Sequence, residues 1–396
     1  MNFELTDEHV QIKTTIRNIL KKFEPKKAEL MQKVLKDRIF PYEVWDAIAE
    51  AGIFGCVVPE KYGGSGIGLL PYAIAIEEMG SIGFGNALMI LTAMDALCIL
   101  RNANEDVKKR FLPNIATGKH KFCFAITEAD SGSNTFRIKT LAKKDGNKYI
   151  VNGSKTFITG VDVADYMLLV VRTKSYEQVV KEGMPKAFGL SLLIVDTKSK
   201  GITLHTLPTR GIEGMNQFTI FFDNVEVPKE NLVGEEDAGS MALFKALNPE
   251  RILAAATVVG VSQFCLNKAV AFANVRHVFK DVPIGQYQAI QHPLAEVKIY
   301  QEAVRLLYSK AAWAFDKEQN PGEVGMYANM AKYLGAELGI MAVDRTIETL
   351  GGNGFSEEYE IVYLWEAMRL LKTAPISKEM ILNYISEHML GLPRSY

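Results

Sequence analysis

The chain has 396 residues, of which 48% are hydrophobic and 23% are charged, so it is long enough to bury a large core in roughly two to four structural units. These proportions exclude a disordered or fibrous chain. The 45 basic residues almost balance the 46 acidic ones, which leaves no net charge to attract nucleic acid or an anionic membrane. The most apolar window, Ala87–Leu100, is interrupted by Asp95, and we expect no membrane span.

Residues 1–120 have the apolar periodicity of helices and are predicted to form an N-terminal helical domain. Ile12, Ile16 and Ile19 recur at helical spacing, and Thr6 is suited to cap this first helix. Further helical patterns cover residues 42–52, 69–81 and 104–116.

Residues 121–236 change to short β-rich runs, which predict a middle β domain built as a barrel or sandwich. Asp145-Gly146-Asn147 lies between two of these runs and has the sequence of a hairpin turn. The runs begin at Phe122, Tyr149, Tyr166, Leu190 and Phe218.

Residues 237–396 return to long helical patterns and are predicted to form a C-terminal bundle of the four-helix type. The order of helices, strands and helices predicts an α+β fold with three domains. The helical patterns cover residues 240–278, 285–318, 322–350 and 376–390.

Cysteine and histidine spacing argues against a metal site. The cysteines Cys56, Cys98, Cys123 and Cys265 are widely separated and have apolar neighbours, as expected for buried thiols in a reducing compartment. The closest two histidines are fifteen residues apart, so no zinc spacing is present. Because the first residues also lack the features of a targeting signal, we expect a cytoplasmic protein without a metal.

A loop rich in small residues, FAITEADSGSNTF, spans residues 124–136 at the start of the β region. It offers the hydroxyls of Thr127, Ser131 and Ser133, and Gly132 permits close approach to the backbone. Such a loop can bind a phosphate or a ring carbonyl. Taken alone, an ordinary polar turn is the more common explanation.

A second segment, GSKTFITG at residues 153–160, favours a binding loop over an ordinary polar turn. Together the two loops resemble the flavin-binding signature of the acyl-CoA dehydrogenase family. The resemblance covers nearly the whole chain, because three more family-like motifs occur in the expected order. These are PEKYGGSG at residues 59–66, FFDNVEVP at 221–228 and LGGNGF at 350–355.

The resemblance implies FAD as the cofactor and assigns a role to several residues. Thr127 would contact the isoalloxazine, Ser133 the pyrophosphate and substrate, Phe157 would lie against the ring, and Thr159 would hydrogen-bond near flavin N5. The other positions that the resemblance assigns to the cofactor are Phe124, Ile126, Gly132, Glu348, Gly351, Gly352 and Ser377.

Further matching positions imply an oligomer. In the family, residues corresponding to Arg276, Phe279 and Gln288 reach the FAD of a neighbouring subunit, which implies a homotetramer built as a dimer of dimers. The segment between Arg276 and Gln288 departs from the family pattern, because Lys280 replaces a glycine and one residue is added. Glu348 replaces a common glutamine, and Glu366-Ala367 replaces a common Arg-Asp pair.

The family reaction requires a base that removes the α-proton of an acyl thioester while hydride leaves the β-carbon for the flavin. Many members carry this glutamate twenty-four residues after the first glycine of the glycine turn, which here is Pro375. Proline cannot accept this proton. Members similar to isovaleryl- and long-chain dehydrogenases instead place a glutamate before an arginine on a bundle helix, and Glu250 and Arg251 match this arrangement.

Periodicity supports Glu250 independently, because it falls on an apolar stripe with Leu243, Leu247 and Ala254. The alternative is that Asn248-Pro249 begins a helix and Glu250 only complements its dipole. From the residues alone both explanations stay open, and the resemblance favours catalysis. Arg251 would then form a structural or substrate-side ion pair, and the Ile376 N–H would bind the thioester carbonyl.

The leading hypothesis is an FAD-dependent acyl-CoA dehydrogenase of fatty or branched acyl-CoA that passes electrons to an electron-transferring flavoprotein in β-oxidation. An enoyl-CoA reductase or an oxygen-dependent oxidase of the same fold is a second hypothesis. A third is a catalytically silent member that acts in binding or assembly, since Pro375 and Glu348 depart from the common pattern.

Overall fold

The structure is a computed structural model that describes residues 4–395, apart from the side chain of Lys245. Its contacts divide the chain into two compact units. The helical unit comprises the residues up to Glu24, Leu69–Gly85 and the chain from Asn248 onward. The sheet unit comprises Pro25–Gly68 and Asn86–Leu247.

The predicted helices are present, and most of their ends lie within a few residues of the predicted ones. In chain order the helices of the described residues are α1 (Asp7–Lys21), α2 (Lys27–Leu35), α3 (Tyr42–Glu50), α4 (Leu69–Gly80), α5 (Ala87–Asn102), α6 (Glu105–Ala116), α7 (Tyr176–Lys181), α8 (Gly239–Val275), α9 (Gln288–Asp316), α10 (Pro321–Leu350), α11 (Val362–Leu370) and α12 (Lys378–His388).

Thr6 caps α1 as predicted, because its hydroxyl accepts a hydrogen bond from the His9 amide while the His9 ring accepts one from the Thr6 amide. The helix packs on α4 through its buried apolar face. Glu78 of α4 is only 3% exposed, and its carboxylate is paired with Lys13 and Arg17 of α1. Apolar burial and a partly buried ion network therefore join these two helices.

The strands form an eight-stranded sheet, in the region predicted as a middle β domain, and a separate hairpin. In the sheet the order is β6-β7-β3-β2-β4-β5-β8, and β1 pairs in parallel with β4. The strands are β1 (Phe122–Ala125), β2 (Leu141–Asp145), β3 (Lys148–Thr159), β4 (Tyr166–Arg172), β5 (Leu190–Asp196), β6 (Ile202–Leu207), β7 (Gln217–Pro228) and β8 (Leu232–Val233), with β9 (His277–Val278) and β10 (Val282–Pro283) in the hairpin.

The longest strand pair, β3 with β7, is antiparallel and contains two irregularities. The register shifts once between Val151 and Gly153 and again between Lys155 and Ile158. The backbone has a positive φ at Asn224 of β7, 51°, and at Phe157 of β3, 55°. Each of these residues is therefore the extra residue of a β-bulge, one in each strand. The predicted hairpin at Asp145-Gly146-Asn147 joins β2 to β3.

The end of α8 differs from the prediction, and so does one alternative that the sequence left open within this helix. The prediction extended α8 to residue 278, but the helix ends at Val275 and the next residues form the β9–β10 hairpin. The alternative in which Asn248-Pro249 begins a helix is wrong, because α8 runs through Pro249 without a break. Apolar side chains on both sides of the proline are buried, and their packing outweighs the missing backbone hydrogen bond.

Helix α8 is long and apolar enough to cross a membrane by length and composition. The sequence predicted no membrane span, and uncharged polar residues such as Ser262 and Gln263 interrupt the apolar run of this helix. Of the window concerned, 78% is buried inside the protein, as in the core helix of a globular fold. The four cysteines are also buried and form no disulfide.

The glycine pair Gly63-Gly64 provides a test of close packing in the sheet unit. A Cβ at Gly64 would lie 1.9 Å from the Val58 carbonyl oxygen, whereas one at Gly63 would meet nothing within 4 Å. We expect Gly64→Ala to destabilise the fold by about 3 kcal/mol. Gly63→Ala, at a φ of 82°, should cost about 1 kcal/mol. Thermal unfolding measures the loss of stability in both variants. A loss in Gly63→Ala equal to or larger than that in Gly64→Ala would contradict the close packing assigned to Gly64.

Candidate functional site

A buried ion pair joins the two loops that the sequence predicted to bind a cofactor. Lys155 Nζ lies 2.9 Å from Glu128 Oε1 and donates to the Ile126 carbonyl oxygen at 2.8 Å. The Thr156 amide donates to the Thr127 carbonyl at 2.9 Å. The side chain of Lys155 is 0% exposed and that of Glu128 is 9% exposed. The first loop is thus fixed to β3 by contacts that exclude water.

Backbone amides complete the environment of the Glu128 carboxylate. Lys139 N and Thr140 N donate to its two oxygens at 2.6 and 2.9 Å. Desolvation raises the pKa of Glu128, but the Lys155 ammonium and the hydrogen bonds outweigh it and hold the pKa below the ordinary value of 4.5. Desolvation lowers the pKa of Lys155 to about 8, against the attraction of Glu128. Both groups are therefore charged at neutral pH.

Phe157 presents an aromatic ring at the second bulge of β3. Its φ of 55° is unusual for a bulky residue, and its side chain is 61% exposed. Backbone strain at an exposed aromatic residue is typical of a functional position. The ring is free to stack against a flat ligand.

Thr159, two residues further along β3, has a defined hydrogen-bond partner. It lies opposite Gln217 of β7, and Gln217 Nε2 donates to Thr159 Oγ1 at 2.7 Å. Gln217 is only 4% exposed. The sequence analysis missed Gln217, because its relation to Thr159 depends on the pairing of two distant strands.

The remaining residues of the first loop provide an open polar edge. Ser133 and Gly132 are exposed, and a Cβ at Gly132 would meet nothing within 4 Å. Phe124 and Ile126 are partly buried. The open backbone and the hydroxyls of this loop suit the phosphates of a cofactor. The exposed ring of Phe157 and the fixed hydroxyl of Thr159 suit a planar heterocycle, so the sheet unit fits FAD.

The helical unit contains Glu250, whose environment differs from that of a surface carboxylate. Glu250 lies within α8 and is partly buried, between the fully buried Ile252 and the buried Pro249. Desolvation raises the pKa of its carboxyl group to about 7, while Arg251 and Lys332 oppose this rise. A carboxylate with this pKa can accept a proton near neutral pH.

Arg251 is held beside Glu250 by the preceding turn of the helix. Its Nη1 donates to Asn248 Oδ1 at 3.2 Å. Desolvation lowers the pKa of the guanidinium group, and Glu250 and Tyr384 act in the opposite direction. Arg251 remains charged and is placed to limit the rise in the pKa of Glu250, as a positively charged neighbour should.

Lys332 of α10 is a second residue that the sequence analysis missed. It is 2% exposed, and its Nζ donates to the carbonyl oxygen of Ile376. Desolvation lowers the pKa of this ammonium group to about 8, as does Arg251, while Glu250 and Glu379 oppose the change. The sequence contained one signal that could have identified Lys332, because it is a charged residue among the small residues of α10. Its side chain ties the segment around Ile376 to the helix.

Other predicted positions lie at the end of α10 and after it. Glu348 is exposed and accepts from Arg345 at 2.8 Å, and Gly351, which has a φ of 61°, directly follows the last residue of α10. Gly352 follows in the same turn, and a Cβ there would meet nothing within 4 Å. Ser377 caps α12, with its hydroxyl accepting from the Met380 amide.

The positions expected to reach a neighbouring subunit lie around the β9–β10 hairpin. Arg276 directly precedes β9, and Gln288 is the first residue of α9. Phe279, at the tip of the hairpin, has a φ of 47° and is 93% exposed. The departure at Lys280 thus lies within a hairpin turn. Among the described residues, no group of three acidic, histidine or cysteine side chains could hold a metal ion.

The predicted residues therefore form two groups. The sheet unit brings together the loop at 124–136, Phe157 and Thr159, whereas the helical unit brings together Glu250, Arg251 and Ile376. Lys332 belongs to the second group by its bond to Ile376.

The ion pair between the loops gives a direct test. We expect Lys155→Met to destabilise the protein by about 3–5 kcal/mol, because Glu128 would stay buried without a counter-charge. Adding Glu128→Gln should recover part of this loss. Lys148→Met on the same strand removes only an exposed pair with Glu226 and should cost at most about 1 kcal/mol. Similar melting temperatures for Lys155→Met and Lys148→Met would show that the buried pair has no special role.

Comparison with known proteins identifies the fold. Three acyl-CoA dehydrogenase domain models match the chain, the N-terminal domain over residues 6–119, the middle domain over 123–225 and the C-terminal domain over 237–390. Acyl-CoA dehydrogenase FadE12 of Mycobacterium tuberculosis is 39% identical over 355 residues, which are 89% of each chain.

Solved structures agree with this result. A glutaryl-coenzyme A dehydrogenase in complex with glutaryl-CoA is 30% identical, with a TM-score of 0.90 over 100% of this chain and 98% of that one. A chain from a study of the electron transferring flavoprotein of Acidaminococcus fermentans is 26% identical, with a TM-score of 0.90 over 98% and 100%. The protein belongs to the acyl-CoA dehydrogenase family and is an FAD-dependent oxidoreductase acting on acyl-CoA.

Proposed function

We propose that the protein oxidises a fatty or branched acyl-CoA to the trans-2-enoyl-CoA and that Glu250 is the base. The observation that carries this proposal is the carboxyl group of Glu250, partly buried within α8 and with a pKa raised to about 7. Its basicity is thus matched to proton abstraction near neutral pH. Pro375, at the common position of the base, offers no carboxylate.

The thioester carbonyl needs a hydrogen-bond donor, because negative charge develops on its oxygen when the α-proton leaves. The Ile376 amide is the proposed donor, and no backbone acceptor within residues 4–395 pairs with it. The Ile376 carbonyl is held by Lys332, which restricts the orientation of this residue. Arg251 and Lys332 also stabilise the charged form of Glu250 before proton transfer.

FAD, when bound, supplies the acceptor for the β-hydride. In the sheet unit, Phe157 would pack against the isoalloxazine, Thr159 would donate near N5, and Thr127 would contact the ring. The exposed Ser133 and Gly132 would bind the pyrophosphate through hydroxyl and backbone groups. The proposed cofactor contacts further include Phe124, Ile126, Glu348, Gly351, Gly352 and Ser377.

We also propose a homotetramer in the cytoplasm with an electron-transferring flavoprotein as acceptor, acting in fatty acid β-oxidation. The exposed Phe279 supports assembly, because a phenyl ring that is 93% exposed suits burial by a second subunit. Arg276 and Gln288 flank the same hairpin and would contact the neighbour's FAD. Buried cysteines that form no disulfide suit a reducing compartment.

The central test is reduction of the bound flavin. The purified protein should be yellow, and a saturated acyl-CoA should bleach it under anaerobic conditions. Glu250→Gln should retain FAD and bind acyl-CoA but lose about 100- to 10,000-fold in the rate of bleaching, because the amide is not a base. Glu379→Gln, which removes an exposed carboxylate of α12, should bleach normally.

Each alternative has its own outcome in this test. Normal bleaching of Glu250→Gln would refute the assignment of the base. A colourless protein that binds no FAD would indicate a silent member. A protein whose reduced flavin is reoxidised by an enoyl-CoA, but whose oxidised flavin is not bleached by a saturated acyl-CoA, would be a reductase. Rapid reoxidation of the bleached flavin by oxygen would indicate an oxidase.

The rate of flavin reduction should also depend on pH. Because the ionised carboxylate is the base, the rate should rise as pH increases through about 7 and reach a plateau above that pKa. Lys332→Met removes a charge that lowers the pKa of Glu250, so the midpoint should move to higher pH. Lys372→Met removes a lysine that pairs with Glu337 instead and should leave the midpoint unchanged. Equal midpoints in all three proteins would contradict a coupling of Lys332 to Glu250.

A further inference from the structure

The hydrogen bond between Gln217 and Thr159 has a direction, and this direction limits what the threonine can do. Gln217 Nε2 is the donor and Thr159 Oγ1 the acceptor, 2.7 Å apart. A hydroxyl has one hydrogen and two lone pairs. Since one lone pair is occupied by the glutamine, the hydrogen of Thr159 is directed away from it.

Nothing else in the described chain uses this hydrogen, because no hydrogen bond donated by Thr159 Oγ1 occurs within residues 4–395. Thr159 is only partly buried, so its hydroxyl remains accessible to a ligand. The exposed ring of Phe157 lies two residues earlier on the same strand. The hydroxyl is thus a prepared donor next to a surface for a flat ligand.

Gln217 is itself firmly held. It is 4% exposed and lies opposite Thr159 in the β3–β7 ladder, and the preceding Asn216 carbonyl accepts from the Gly160 amide at 2.8 Å. Rotation of the buried amide would lose the bond to Thr159. A buried amide in this place fixes both the position and the polarity of the hydroxyl.

We infer that Gln217 is a positioning residue that makes the Thr159 hydroxyl a hydrogen-bond donor to the flavin ring. This inference rests on the proposed function, in which Thr159 lies near flavin N5. In oxidised flavin this nitrogen has a lone pair and no hydrogen, so only a donor can bind it. Gln217 would thereby keep Thr159 in the form that the oxidised cofactor requires, without touching the cofactor itself.

A double-mutant cycle tests the inference in the FAD-bound enzyme. Gln217→Met keeps the length of the side chain but removes the amide, and Thr159→Val removes the hydroxyl. Each should shift the visible flavin absorption band in the same direction and slow anaerobic flavin reduction by about 5- to 10-fold, the effect of one lost hydrogen bond. The double variant should be no slower than the slower single variant, because both remove the same interaction.

Thr219→Val is the matched control. It removes another hydroxyl pair between β3 and β7, the one that Thr219 forms with Thr156 at 2.9 Å. It should leave the absorption band and the reduction rate unchanged. A merely structural role of Gln217 would give the same spectra in Gln217→Met and Thr219→Val.

Gln217→Glu tests the direction of the bond. At pH 8 an ordinary carboxyl group is ionised and can only accept, so it would take the Thr159 hydrogen and should impair the enzyme at least as much as Gln217→Met. A wild-type flavin spectrum in Gln217→Glu would overturn the inference. It would also be overturned if the rate losses of Gln217→Met and Thr159→Val multiplied in the double variant. Absence of FAD from the wild-type protein would instead overturn the proposed function.

Discussion

The cofactor-facing part of the sheet unit depends on the buried contact between Lys155 and Glu128. The two residues are 27 apart in sequence; Glu128 lies in the first loop, and Lys155 lies in β3, which is held by its pairing with β7. Because the ammonium also binds the Ile126 carbonyl, one side chain fixes both the acidic residue and the backbone of the first loop. This contact therefore fixes the loop that carries Thr127 against β3, the strand that carries Phe157 and Thr159.

The helical unit uses charge in the opposite way. Glu128 has a full set of partners and a pKa below the ordinary value, whereas Glu250 is desolvated with less compensation and has a pKa near 7. Two carboxylates in one chain thus have different properties that follow from their surroundings. The first is suited to remain ionised as a structural group, and the second is suited to gain and lose a proton.

Much of the fold could be predicted from the sequence, because apolar periodicity and turn residues are local signals. The helix predicted at residues 69–81 is α4, Leu69–Gly80, and the helix predicted at 322–350 is α10, Pro321–Leu350. The helix predicted over residues 240–278 continues through Pro249, and the alternative of a helix start there is wrong, since the proline signal is local and the packing that overrides it is not.

The candidate site was predictable only in part, for the same reason. Motif residues such as Thr159 and Glu250 were found by spacing and resemblance. Gln217 and Lys332 were missed, because each acts on a residue far away in sequence. Gln217 meets Thr159 through strand pairing, and Lys332 meets Ile376 through helix packing.

The two bulges of the β3–β7 pair cancel each other. Val151 pairs with Val225 before both bulges and Ile158 pairs with Phe218 after both, so the ladder returns to its original register. Asn224 adds one residue to β7 and Phe157 adds one to β3. Each bulge absorbs its extra residue where it occurs, so loss of either residue alone would remove that bulge and leave the later side chains on their present faces of the sheet. Loss of Phe157 alone would leave β3 regular and without the exposed ring, so the ring is an insertion that the sheet accommodates locally.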